Sequence, residues 1–101
     1  MKPIILHREA QREIDEAMAY YEDKVQGLGL DFLHEVRRGT EYIREFPDSG
    51  ALYRSKGMRH WVLHRFPYIL YYLELPDRIW IAAVAHRMRK PDYWRGRKPE
   101  P

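Results

Sequence analysis

The chain is predicted to fold as an α+β domain: an N-terminal strand and an antiparallel helical hairpin packed on one face of a small antiparallel β-sheet. Three observations predict it. The first half places apolar residues at helical spacing in two stretches separated by Gly27 and Gly29. The second half holds three closely spaced strand-like runs joined by short turns. With 101 residues, 45% of them apolar, there is material for one small core and not for two.

Pro3 to Arg8 reads as a short strand. Glu9 to Val25 reads as a helix, because Ala10, Ile14, Ala17, Met18, Tyr21 and Val25 recur at helical steps and line one face. After the two glycines a second helix runs from Leu30 to Phe46, with Leu33, Val36, Thr40 and Ile43 on one face and Pro47 closing it. So short a link makes the two helices antiparallel neighbours. Asp48, Ser49 and Gly50 form a loop, Ala51 to Lys56 an irregular or edge strand, and Gly57 a turn.

Met58 to Phe66, Tyr68 to Leu75 and Ile79 to Ala85 read as strands. Phe66 and Pro67 connect the first two, and Pro76, Asp77 and Arg78 the last two. Sequential strands with short turns favour an antiparallel meander over parallel crossovers. Residues 1–95 are expected to form a single domain and residues 96–101 a basic, flexible tail.

The last strand is apolar on both faces, with Trp80, Ala82 and Val84 on one side and Ile79, Ile81, Ala83 and Ala85 on the other. Two short helices cover only one of them. The second face is therefore expected to be covered by a partner chain, a self-contact or the C-terminal tail.

Charge is distributed unevenly. Residues 1–50 hold 7 Lys and Arg against 11 Asp and Glu, a balance of −4, whereas residues 51–101 hold 11 against 4, a balance of +7. The basic half either meets an anionic partner or forms a solubilising tail, and charge alone leaves both readings open. His86, Arg87, Arg89, Tyr93 and Trp94 fall together just past the final hairpin.

No apolar run approaches the roughly 20 residues of a membrane span. Ile4, Ile5 and Leu6 are followed at once by His7, Arg8 and Glu9, which is no signal-peptide core. A cytoplasmic address is expected. The chain has no cysteine, which excludes disulfides and thiolate metal sites. Neither cofactor nor metal is expected: His60 and His64, four apart on a strand, stand roughly 13 Å from each other and do not share one ion by themselves.

AMAYYE in the first helix, GLGLDFLHEV opening the second, the FPYILYY strand and the AVAHRMRKPDYW ending together resemble the RelE/ParE toxin superfamily, in particular its ParE-like branch. The resemblance runs from about Leu6 to Arg95. It implies a helical hairpin on an antiparallel sheet and the toxin of a bacterial type II toxin-antitoxin pair. The implied partner is a cognate antitoxin that wraps the toxin by helix-in-groove or added-strand recognition and supplies the contacts to DNA. Such an antitoxin would cover the second sheet face.

Two mechanisms divide that superfamily. RelE-like members cut mRNA on the ribosome without metal, and their pattern maps onto Arg65, His86, Arg87 and Tyr93: arginines hold developing phosphate charge and His86 moves protons near neutral pH. The chain departs from this pattern, since Tyr68 or Ile69 stands where an arginine is usual and only Lys56 and Arg59 represent the preceding lysine-rich segment. ParE-like members lack the complete set and are associated with poisoning DNA gyrase, and the AVAHRMRKPDYW ending resembles them more closely. The implied target-binding residues are Arg59, Arg65, His86, Arg87, Arg89, Lys90, Tyr93 and Trp94.

Other readings accompany these. His86 is equally a structural histidine, and Arg65 either reaches the basic cluster or pairs with a helix carboxylate such as Glu35. Tyr20, Tyr21, Tyr71 and Tyr72 read as core and rim aromatics. Tyr93 and Trp94 among Arg89, Lys90, Arg95 and Arg97 also suit stacking on single-stranded nucleic acid, a third reading that lacks a recognised motif.

Overall fold

In a computed structural model, which describes residues 1–53 and 57–100, seven elements follow in order. They are β1 (Ile4–Leu6), α1 (Arg8–Lys24), α2 (Leu28–Glu45), β2 (Ala51–Leu52), β3 (Arg59–Val62), β4 (Tyr68–Glu74) and β5 (Ile79–His86). The sheet order is β1-β5-β4-β3-β2. The expected meander from β3 to β5 is antiparallel, and β1 joins it in parallel beside β5.

The helices form where their apolar stripes predict. His7 caps α1 by accepting the Glu9 N–H on its side chain. Ala10, Ile14 and Ala17 are buried on the inner face, while Val25, expected on that stripe, ends the helix and stands exposed. The interhelical turn needs Gly27, whose φ of +88° lies in the left-handed region. Gly29 permits close contact, because a Cβ there would meet the Met18 carbonyl oxygen at 2.6 Å. Glu22 of α1 accepts from the Gly27 and Gly29 N–H groups at 2.8 and 3.0 Å, satisfying donors that the start of α2 would otherwise leave open.

The strand expected over Met58 to Phe66 is shorter. It stops at Val62 because Leu63 and Phe66 turn inward and are buried in the core. The turn between them is held by Glu35 of α2, whose Oε2 accepts from the His64 and Arg65 N–H groups at 2.7 and 2.8 Å. Only Ala51 and Leu52 of the edge strand expected to Lys56 form β2; Arg54 to Lys56 lie outside the described residues. Buried Tyr72 anchors the segment between α2 and β2: its hydroxyl donates to the Pro47 carbonyl at 2.7 Å and accepts from the Gly50 N–H at 2.9 Å.

A β-bulge in β5 corrects the expected division of that strand's faces. Tyr71 pairs with Ala83 and Tyr72 with Ile81, so Ala82 is an extra residue on β5. The alternation changes phase there. Ile79, Ile81 and Val84 face the helices, in a core with Ile14, Phe32, Ile43 and Leu70. Trp80, Ala82, Ala83 and Ala85 face the opposite side with Tyr71 and Trp94. The chain's own C-terminal segment covers part of this second face, through Trp94 and Tyr93. Among the described residues no helix is long and apolar enough to cross a membrane.

Candidate target-binding surface

β5 carries the chain to His86, which pairs with Tyr68 at the end of the β4–β5 ladder. The backbone then turns tightly: the Arg87 N–H donates to the Pro67 carbonyl, the Arg89 N–H to the His86 carbonyl, and the Met88 N–H to His86 Nδ1. Arg87, Met88, Arg89 and Lys90 project from this turn and are exposed. The left-handed Asp92, with φ of +63°, redirects the chain back over the sheet.

The returning segment is anchored at several points. The Trp94 ring packs on Tyr71 at 4.6 Å and on Tyr53 at 5.8 Å between centroids, leaving it 7% exposed. Tyr53 donates its hydroxyl proton to Asp92 at 3.0 Å. Tyr93 donates to Glu13 Oε2 at 2.6 Å, and Arg97 meets the same carboxylate through both terminal nitrogens at 3.1 and 2.9 Å. Within the expected tail, Arg97 is thus held against α1, and Arg78 donates to the Glu100 carbonyl.

Burial, and then the adjacent Glu13, raise the Tyr93 pKa well above the ordinary phenol value. The phenol keeps its proton at neutral pH and donates it in a hydrogen bond to Glu13. Its ring is also occupied, with the Arg89 guanidinium 3.8 Å from the centroid and Arg97 at 5.2 Å. Beside this assembly a cleft of about 530 Å³ opens between α1 and the ends of β4 and β5, walled by Tyr20, Tyr21, Tyr68, His86 and Arg89. Tyr68 and His86 meet edge to face at 5.1 Å.

The structure therefore brings His86, Arg87, Arg89, Lys90 and Tyr93 together, and sets three expected target-binding residues to other tasks. Trp94 is a buried packing residue. Arg59 donates to the carbonyls of Gly50 and Asp48 at 2.8 and 3.3 Å, and it pairs in register with Tyr72, four positions along β4 from the His86 partner Tyr68. The Arg65 guanidinium lies 3.6 Å from Asp31, while Glu35 takes the backbone N–H; the carboxylate pairing is realised, with a different acid. Among the described residues no three His, Asp or Glu side chains converge as a metal site.

Glu13 was not singled out from sequence, although it was open to view there. It stands three residues after Ala10 and four before Ala17, so the helical period puts it beside the buried stripe. A carboxylate at such a position needs partners, and Tyr93 and Arg97 are those partners.

A second surface lies across the molecule, where Arg38, Gly39 and Tyr42 of α2 face Trp61 and Val62 of β3 over a groove of about 840 Å³. Among the described residues β2 pairs only with Arg59 and His60, and no strand pairs with the outer edge of β3 at Trp61 and Val62. Tyr42, Phe46, Leu52 and Val62 are each about half exposed or more in this region.

With this geometry in place, comparison with known proteins is decisive at the family level. The model of the ParE toxin of type II toxin-antitoxin systems, parDE, matches residues 4–91. The chain belongs to the ParE toxin family. A solved structure described as the chromosomal ParDE toxin-antitoxin system from P. aeruginosa shares the fold, with a TM-score of 0.71 at 18% identity over 85% of this chain and 96% of that one. No curated protein sequence matches. The chain is thus the toxin component of a type II toxin-antitoxin system, with the α+β architecture of its family.

Proposed function

We propose that this ParE-family toxin arrests bacterial growth by binding DNA gyrase through the exposed turn at residues 86–90, and that a cognate antitoxin neutralises it in the cytoplasm. The observation that carries the reading is the state of the cations. Arg59, Arg65, Arg95 and Arg97 are ion-paired, whereas among the described residues no carboxylate pairs with Arg87, Arg89 or Lys90. Unpaired cations on a turn pinned at both ends form a preorganised surface for an anionic patch.

The groove between α2 and β3 is the antitoxin seat in this reading. An extended antitoxin segment would add to the open edge of β3 and place apolar side chains against Tyr42, Trp61 and Val62. Arg38 on its rim favours acidic flanks. DNA contacts would come through the antitoxin.

The RNA-cutting alternative needs Arg65, His86, Arg87 and Tyr93 as a working set. The Arg65 guanidinium is turned to Asp31 and the Tyr93 phenol to Glu13, which leaves His86 and Arg87 and favours a protein target. Stacking on single-stranded nucleic acid loses its main platform, since Trp94 is buried.

Controlled expression in bacteria tests the proposal, with plasmid supercoiling and cleaved mRNA ends followed in one culture. Growth arrest with altered supercoiling and intact messages supports it. Arrest with ribosome-dependent message cuts and normal DNA refutes it.

A further inference from the structure

Glu13 does more than close an ion pair. Its side chain is 9% exposed, and its two oxygens receive four donors from two parts of the chain. Oε1 accepts from the Val84 N–H at 2.9 Å and Arg97 Nη1 at 3.1 Å; Oε2 accepts from the Tyr93 hydroxyl at 2.6 Å and Arg97 Nη2 at 2.9 Å. Arg97 Nη1 also donates to the Ala82 carbonyl at 3.0 Å. Ala82 is the bulged residue and Val84 lies two beyond it, where β5 has run past the end of β1. The carboxylate and guanidinium together satisfy backbone groups that no strand reaches there.

The consequence extends to the exposed turn. Tyr93, fixed by Glu13, presents the ring on which Arg89 lies. β5 fixes the other end of the turn at His86. We infer that Glu13 is a positioning residue for the basic surface: acting through Tyr93, it sets where Arg89 and the turn at 86–92 stand, although it touches no target itself. This inference rests on the reading of that turn as target-binding. Without the carboxylate, the fork of Arg97 and the phenol of Tyr93 lose their common acceptor, and the segment after Lys90 keeps Trp94, Asp92 and the bonds of Arg97 to the Ala82 carbonyl and of Arg78 to the Glu100 carbonyl.

Amide hydrogen exchange on the purified full chain tests this, comparing wild type with Glu13→Gln and Arg97→Ala, alongside growth arrest on induction and Arg89→Ala as the control for the surface. Exchange over residues 89–97 is expected to accelerate ~10-fold or more in both variants while α2 and β4 keep their protection, which a general loss of stability would not produce. Growth arrest is expected to weaken as it does in Arg89→Ala. Should Glu13→Gln fail to fold, Tyr93→Phe leaves α1 unchanged, removes the same bond to Glu13 and carries the comparison with Arg97→Ala. Unaltered exchange over 89–97 in the folded variants overturns the inference. Faster exchange with full growth arrest also overturns it if Arg89→Ala has lost activity. If Arg89→Ala arrests growth fully, the binding-surface reading is what fails, and the exchange result alone decides the role of Glu13.

Discussion

The Tyr93 hydroxyl donates to Glu13 Oε2 at 2.6 Å, tying the C-terminal segment to the middle of α1 across 80 positions of sequence. A hydrogen bond to a charged acceptor contributes more than a neutral one. Tyr93→Phe keeps the ring under Arg89 and removes only the donor. Urea unfolding is expected to show a loss of about 1.5 to 3 kcal/mol. A loss near zero would mean that the other anchors, Arg97 and Trp94 among them, hold the segment without this bond.

The same phenol produces a dependence on alkaline pH. Its folded pKa is raised above the ordinary 10.0, chiefly by burial and then by Glu13. The folded chain therefore retains a proton that the unfolded chain releases, so stability is fully present below about pH 10 and falls as pH rises beyond it. Tyr21, Tyr68 and Tyr72 are shifted the same way, each first by burial. Chemical unfolding at pH 9 and pH 11 is expected to show this fall, less steeply in Tyr93→Phe.

Glu35 is 6% exposed and holds the turn after β3 through the His64 and Arg65 N–H groups. Glu35→Ala strands both donors and is expected to cost about 2 to 4 kcal/mol by urea unfolding. Glu35→Gln keeps an acceptor and is expected to cost less. Equal losses in the two variants would show that charge, rather than an acceptor for those donors, is what the turn requires.

Leu70 is fully buried between the helices and the sheet. Leu70→Ala is expected to destabilise by about 2 to 5 kcal/mol through the cavity it leaves. Any decline in growth arrest should then track the folded fraction, which a temperature series measures.

In the proposed reading the groove and the turn serve two functions. Val62→Glu places a charge on the open edge of β3 and is expected to weaken antitoxin binding by ~10-fold or more, about 1.4 kcal/mol, while growth arrest by the toxin alone persists. Calorimetric titration with the antitoxin measures the first effect and induction the second. Unchanged antitoxin affinity would place its seat elsewhere.

The helical hairpin and the meander were legible because each depends on a local period and on turn residues such as Gly27 and Pro76. The bulge at Ala82 was not. A run of small and apolar side chains offers no polar residue to mark where alternation changes phase, so Ala83, Val84 and Ala85 were each placed on the wrong face. The basic cluster was visible as a composition, but its division into free and committed cations depends on long-range partners: Asp31 for Arg65, Glu13 for Arg97. Trp94 was misplaced for a related reason. Charged neighbours made its segment read as surface, whereas Tyr71 and the alanines of β5 form an apolar bed that only the tertiary fold brings beneath it.

Gyrase is the proposed target of the exposed turn in this ParE-family toxin. The most direct test measures supercoiling by purified gyrase in the presence of the folded toxin, Arg87→Ala and Arg89→Ala. Inhibition by the wild type, weakened ~10-fold or more in each variant, is the predicted result. Equal inhibition by all three, or none by the wild type, would contradict it.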